Sequence, residues 1–275
     1  MGRDVGLILI TNDDGLSKGL LLLIEAASEL DDEVVTIIPA SQQSAVAKKI
    51  TYHKALKVND IEFLGHKITL ISGTPADAIA FAINFKGFLK KKPDIVVSGI
   101  NSGYNVSIHS ILSSGTVGAA IEAATYGFPA IAFSAYSKAD HWYSDAAWPH
   151  PEAIKKWTKH FISTVKKNGL PKGCDVLNVN YPLNPKTAKA VVCAPQLQHF
   201  NIKISEQKHK YALTDYWITG SQLAKAKRGQ DVVEMMKGNV VVTPLSVTIC
   251  EKGALNAMEK RYQGVSLNKM GKNGN

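Results

Sequence analysis

The chain has 275 residues, 45% of them hydrophobic, and a formal charge of +9. That length allows one large α/β domain, or one domain with an appendage, and the apolar content supplies a sizeable core. No apolar run approaches the ~18 residues of a membrane-spanning helix, so no membrane partner is expected.

The N-terminal stretch "MGRDVGLILITNDD" is too short in its apolar part for a signal peptide, and it ends in acids. Cys174, Cys193 and Cys250 are odd in number and widely spaced, with no C-x-x-C pair. Neither a disulfide framework nor a thiolate metal site is expected, and a cytoplasmic location fits. The lysines are scattered, with short runs at Lys90–Lys92 and in the last 25 residues. No RNA-binding aromatic motif accompanies them, so the positive charge reads as solubility plus a general attraction for anions.

The first half alternates between strands and helices. "VGLILI" (5–10) is a short apolar run, as in a strand buried on both faces. "SKGLLLLIEAASEL" (17–30) starts with a capping Ser17 and continues in good helix formers. "DEVVTIIPA" (32–40) and "KITLISG" (67–73) are strands. "TPADAIAFAINFKGFL" (74–89) is a helix that Thr74 caps, with Pro75 at its first position. "PDIVVSGIN" (93–101) runs from strand into loop, "SSGTVGAAIEAATYG" (113–127) is a helix stopped by Gly127, and "FPAIAFSAY" (128–136) is a further strand.

Repeated strand–helix–strand with short loops predicts a parallel sheet covered by helices over residues 1 to about 180. From about residue 183 the pattern loosens. "KAVVCAPQL", "YALTDYWITG" and "NVVVTPL" read as strands between polar, Lys-rich segments. We take 1–182 as the core and 183–275 as an extended hairpin arm, reaching another subunit, with a disordered tail at 267–275.

In a doubly wound sheet, ligands bind beyond the carboxyl ends of the strands. Five motifs fall there. "LILITNDDG" (7–15) sets Asp13 and Asp14 side by side after the first strand. Adjacent carboxylates form a hard oxygen site suited to Mg²⁺ or Mn²⁺, and a cation removes their repulsion. A helix N-terminus with an extra acid is the plainer reading. "PASQQSA" (39–45) carries Ser44, by itself a turn former. "SGINSGYN" (98–105) offers the amides of Asn101 and Asn105. "SGTPADA" (72–78) and "SSGTVGAA" (113–120) are strand-to-helix turns of small polar residues, a setting that binds phosphate. Neither is a P-loop, because no Gly-Lys-Ser/Thr follows.

Taken in this order, "TNDDG", the serine after "PA", "SGTPADA", "SGIN-x-G-x-N" and "SGTV-x-AA-x-E" resemble the SurE family of metal-dependent nucleotidases. "LNVNYP" (177–182), "YWITG" (216–220) and "NVVVTPLS" (239–246) are similar to the family's C-terminal segments, so the likeness spans nearly the whole chain. The resemblance implies a Rossmann-like three-layer core with a C-terminal β-hairpin arm, and dimers or tetramers made through exchanged arms. It implies hydrolysis of nucleoside 5′-monophosphates, with 3′-nucleotides and short polyphosphate as further candidates. It also implies a divalent metal, Mg or Mn, on Asp13, Asp14, Ser44 and Asn101. Gly73, Thr74, Asn105, Ser114, Gly115 and Thr116 would line the phosphate or nucleoside site, with Asp13, Asp14 and Asn101 as the catalytic set.

Two departures stand out. Family members carry basic residues just before the position of Ser44, where this chain has Ser41-Gln42-Gln43; Lys48 and Lys49 follow a few residues later. An acid usual between the asparagine and the "SGT" turn is missing from "NVSIHSILSSGT", which holds His109 instead. Two other classes stay open at this stage. A strand-end Asp pair with Mg²⁺ also serves phospho-accepting signalling modules, although these need about half this length. A basic nucleic-acid-binding protein is the other, marked by salt-dependent and metal-independent retention on DNA.

Overall fold

Strand β1 (Leu7–Thr11) is buried along its whole length. Leu7 and Leu9 pack into one apolar cluster, Ile8 and Ile10 into another. Alternate side chains point to opposite faces, so the run of four apolar residues feeds two cores at once. The structure, a computed structural model, describes residues 5–136, 148–197, 200–207, 210–217 and 229–262.

β1 lies near the middle of a nine-stranded sheet. The other members are β2 (Glu33–Pro39), β3 (Val58–Phe63), β4 (His66–Ile71), β5 (Ile95–Ser102), β6 (Ala130–Ala135), β7 (Val176–Tyr181), β8 (Ala190–Val192) and β11 (Val240–Leu245). Their order is β3-β4-β2-β1-β5-β6-β7-β11-β8. β4, β2, β1, β5, β6 and β7 run parallel. β3 pairs antiparallel with β4, and β11 antiparallel with β7. Helices α1 (Lys18–Ser28) and α5 (Pro151–Asn168) supply side chains to the cluster on one face, and α2 (Pro75–Asn84) and α4 (Gly115–Thr125) to that on the other. This is the α/β, three-layer Rossmann-like architecture expected from the alternating pattern.

The capping chemistry read from sequence is in place. Ser17 accepts from Leu20 N at 3.2 Å and starts α1. Thr74 and Asp77 form a reciprocal capping box at α2, with Pro75 at the first helical position. Each such cap contributes about 1 kcal/mol.

Beyond residue 182 the chain divides between two places. β8 and β11 extend the main sheet. β9 (Phe200–Gln207) and β10 (Lys210–Trp217) pair antiparallel in a separate two-stranded sheet, the hairpin expected near the C-terminus. Helix α6 (Asp231–Met236) packs on β11, and α7 (Lys252–Tyr262) follows. The expected tail at 267–275 lies outside the described residues. α3 (Ser107–Ser113), α5, α6, α7, β3, β7 and β9 had no counterpart in the sequence reading.

Two glycines in α4 set how closely other chain segments approach it. A Cβ on Gly118 would stand 2.3 Å from the carbonyl oxygen of Ala47, in the loop that carries Ser44. Ordinarily a helical Gly→Ala change stabilises by about 1 kcal/mol. Here the contact reverses the sign: Gly118→Ala is expected to lower stability by about 1–3 kcal/mol, read as a lower thermal midpoint.

Candidate active site

β1 ends in a turn that Asn12 closes. Its side chain accepts from Gly15 N at 3.2 Å and donates to Gly15 O at 2.7 Å. The turn leaves Asp13 and Asp14 at the carboxyl end of the strand. Asp13 is 4% exposed. Thr116, in the first turn of α4, grips it twice: the backbone N–H donates to Oδ2 at 3.0 Å, and the hydroxyl donates to Oδ1. A Cβ on Gly115 would fall 2.9 Å from Asp13 Cβ and Oδ2. Glycine there is what lets the helix seat on the carboxylate.

Asp14 points the other way. Its Oδ2 accepts from Ser102 N, at the end of β5, at 2.8 Å. Its Oδ1 accepts from the Gln42 amide at 3.3 Å. No basic side chain of the described residues perturbs either carboxyl. Burial, reinforced by the neighbouring Asp14 charge, pushes the Asp13 carboxyl up to about 7 against the Thr116 hydrogen bonds. Burial also raises Asp14, against its bonds from Ser102 and Gln42. The pair is therefore a cluster of negative charge with no counter-charge among the described residues.

Neutral oxygens stand nearby. The Asn101 amide nitrogen donates to Gly103 O at 2.9 Å, which leaves Oδ1 to accept. Gln43 N donates to the Asp13 carbonyl at 2.8 Å, so the exposed Ser44 sits one residue from the Asp13 backbone. Two carboxylates, an amide oxygen and a hydroxyl are hard donors that suit a divalent oxophilic cation. Among the described residues no three His, Cys, Asp or Glu side chains come together as a metal cluster. The charged part of any such site is thus the aspartate pair alone.

The two small-residue turns differ. At α4, Thr116 N is engaged by Asp13, while Val117 N and Gly118 N bond to Ser114. That leaves Gly115 N as the amide of this turn not so engaged. The Gly73–Thr74 turn is buried under the preceding loop: Thr74 Oγ1 donates to Lys49 O, and Asp77 accepts from both the N–H and the hydroxyl of Thr51. Lys48 forms an ion pair with Glu122, on α4. His109 lies exposed on α3.

Asn105 is buried in a polar network that joins the segment after β5 to β6 and β7. Its N–H donates to Asn180 Oδ1 and its amide to Ser134 Oγ, both at 2.8 Å, while its carbonyl accepts from Asn178 and Asn180. One group that the sequence analysis passed over lies further along the chain. Asp231 is fully buried and accepts from Ser107 N at 2.6 Å and Gln196 N at 2.8 Å. With Gln196 O and Leu197 O, which accept from the next two amides of α3, it caps that helix from outside. The only sequence signal was an Asp at a helix start, which is too common to single out.

A doubly wound α/β domain with a carboxylate pair held at the carboxyl end of a central strand is the class that this fold and site define. The chain belongs to the SurE family: the model of "Survival protein SurE" matches residues 8–203. It is 37% identical to the 5′-nucleotidase SurE of Thermofilum pendens over 88% of this chain and 90% of that one. It is 38% identical to the 5′-nucleotidase SurE of Pyrobaculum arsenaticum over 92% and 93%. The crystal structure of the SurE protein from Aquifex aeolicus superposes with a TM-score of 0.76 at 28% identity, covering 93% of this chain and 99% of that chain.

The raised Asp13 carboxyl has a consequence for stability. In the unfolded chain it ionises near pH 4, whereas the folded, metal-free chain keeps its proton to about 7. The native state holds the extra proton between these values, so this group lowers stability as pH rises from about 4 to about 7. In chelator, wild type should lose stability relative to Asp13→Asn across that window, on the order of a few kcal/mol. Thermal melts at several pH values read the difference.

Proposed function

We propose that this chain is a divalent-metal-dependent phosphatase that hydrolyses nucleoside monophosphates, a 5′-nucleotidase. The curated relatives carry that name. The observation that carries the metal part is the Asp13–Asp14 pair, buried at Asp13 and half-buried at Asp14, which lacks a basic partner among the described residues and stands beside the Asn101 amide oxygen.

In this reading Asp13, Asp14, Asn101 and Ser44 hold the cation, either Mg²⁺ or Mn²⁺. When bound, it supplies Lewis acidity at a phosphoryl oxygen and lowers the pKa of water. Thr116 fixes the rotamer of Asp13, and Ser102 N with Gln42 fixes that of Asp14, so neither carboxylate needs to reorganise during the reaction. Gly115 N is the α4 amide left to donate to a phosphoryl oxygen, beside Ser114. Asn105, locked by Asn178, Asn180 and Ser134, presents a rigid edge to the substrate. The Gly73–Thr74 turn borders the site from the β4 side. The hairpin β9–β10, with Ile204 and Tyr211 exposed at 65% and 62%, serves as the arm between copies in a dimer or tetramer. The three free thiols fit a cytoplasmic setting.

Phosphate release from a panel of 5′- and 3′-nucleotides, short polyphosphate and p-nitrophenyl phosphate tests the reading. Mg²⁺ or Mn²⁺ should stimulate release and chelator should abolish it. No metal-stimulated release from any of them would end the enzymatic claim. Asp14→Asn should keep the fold and lower turnover by about two orders of magnitude or more. Near-normal turnover in that variant would show that the cation sits elsewhere.

A further inference from the structure

Asp231 is a fully buried carboxylate surrounded by backbone amides. Its Oδ2 accepts from Ser107 N at 2.6 Å, and its Oδ1 accepts from Gln196 N and Val232 N, both at 2.8 Å. A carboxylate out of water is costly unless donors surround it, so the value of Asp231 lies in what it joins. The bond to Ser107 spans 124 positions of the sequence. It links the first residue of α6 to the first residue of α3.

The chain that leads into α3 is the one that reaches the aspartate pair. Asn101 and Ser102 end β5, and Ser102 N donates to Asp14. Gly103 N then bonds to Ala135 O and Asn105 N to Asn180 Oδ1. Val106 lies fully buried in one apolar cluster with Val232 and Met235 of α6. Ser107 follows with a φ of +70°, a conformation that a non-glycine residue keeps only when its surroundings hold it. Val106 has no side-chain group to cap α3, and Asp231 does so from outside. Packing alone leaves room here: a cavity of about 670 Å³ opens beside Tyr104, with Met235 and Met236 on its walls.

The C-terminal side is tied as firmly. Asp231 N donates to Ala194 O at 2.9 Å, and Ala194 N to Gly229 O at 3.0 Å. Asp231 thus joins the two chain ends that flank the β9–β10 hairpin to each other and to the segment 101–107.

We infer that Asp231 is a positioning residue for the hydrolysis, an inference that rests on the nucleotidase reading above. Through Ser107 it holds the segment that carries Asn101, the Ser102 amide and Asn105, and so fixes the direction of Asp14. With both oxygens engaged by amides, it acts on the reaction only through that segment.

Asp231→Asn tests the role. Asparagine has one acceptor oxygen; where that oxygen keeps the two bonds of Oδ1, its NH₂ meets Ser107 N–H, donor against donor. With adenosine 5′-monophosphate and Mn²⁺, kcat should fall about tenfold or more while KM changes less than about threefold, as for misplaced catalytic groups and not for lost binding. Ile162→Ala, at a fully buried position on α5, is the comparison: it should lower the thermal midpoint and keep kcat within about twofold. Val106→Ala loosens the same segment by removing two methyl groups and should lower kcat in the same direction. It takes the place of Asp231→Asn if that variant yields no soluble protein. A lower thermal midpoint with wild-type kcat in the variant so used, or an equal loss of kcat in Ile162→Ala, overturns the positioning role and leaves the nucleotidase reading standing. A wild type without metal-stimulated hydrolysis overturns that reading and this inference with it.

Discussion

Two carboxylates are held next to each other at the end of a buried strand, and one of them is almost wholly out of water. Like charges at close range in such a setting repel by several kcal/mol on an effective-dielectric scale, and burial adds to the cost. The fold tolerates this because other elements are built around the pair. The first turn of α4 gives Thr116 to Asp13, the end of β5 gives an amide to Asp14, and the loop after β2 gives Gln42. Each bond also restrains the carboxylate's direction. The repulsion within the pair and the affinity that the proposed function asks of it have one origin: two carboxylates held close together with no basic partner among the described residues.

The rest of the rim follows from how parallel strands deliver loops. β1 supplies the acids, β2 the Ser44 loop, and β5 the segment that crosses to β7. Small residues decide how close these loops come. Gly115 and Gly118 let α4 touch both the carboxylate and the Ser44 loop, so acid, serine loop and helix form one packed unit. On the far side, the network of Asn105, Ser134, Asn178 and Asn180 places directed hydrogen bonds where apolar core would otherwise be, with Asn178 Oδ1 left without a partner among the described residues. Such a network rigidifies the segment it holds. Asp231 extends the same logic to the C-terminal part of the chain. It caps α3 from a helix that follows the hairpin, so the arm's base and the Asn105 segment share a hydrogen-bonded anchor.

What could be read from the amino acids alone was local or periodic. The apolar run 7–10, the caps Ser17 and Thr74 and the proline at 75 act over a few residues, and the structure places each as read. The position of the loops at the strands' carboxyl ends follows from the α/β alternation, which put Asp13, Asp14, Ser44, Asn101 and Asn105 on one rim. β3 was missed because its apolar residues are interleaved with Asn59, Asp60 and Glu62 on an exposed edge. The division of the chain after 182, with β8 and β11 in the main sheet and β9–β10 apart, depends on strand pairing between distant segments. No local pattern encodes such pairing. The same holds for the engagement of the Thr116 amide by Asp13, for the burial of the Gly73–Thr74 turn, and for the opening beside Tyr104. Residue types and short-range spacing state which chemistry is available; only packing over long sequence distances decides which donors remain free to use it.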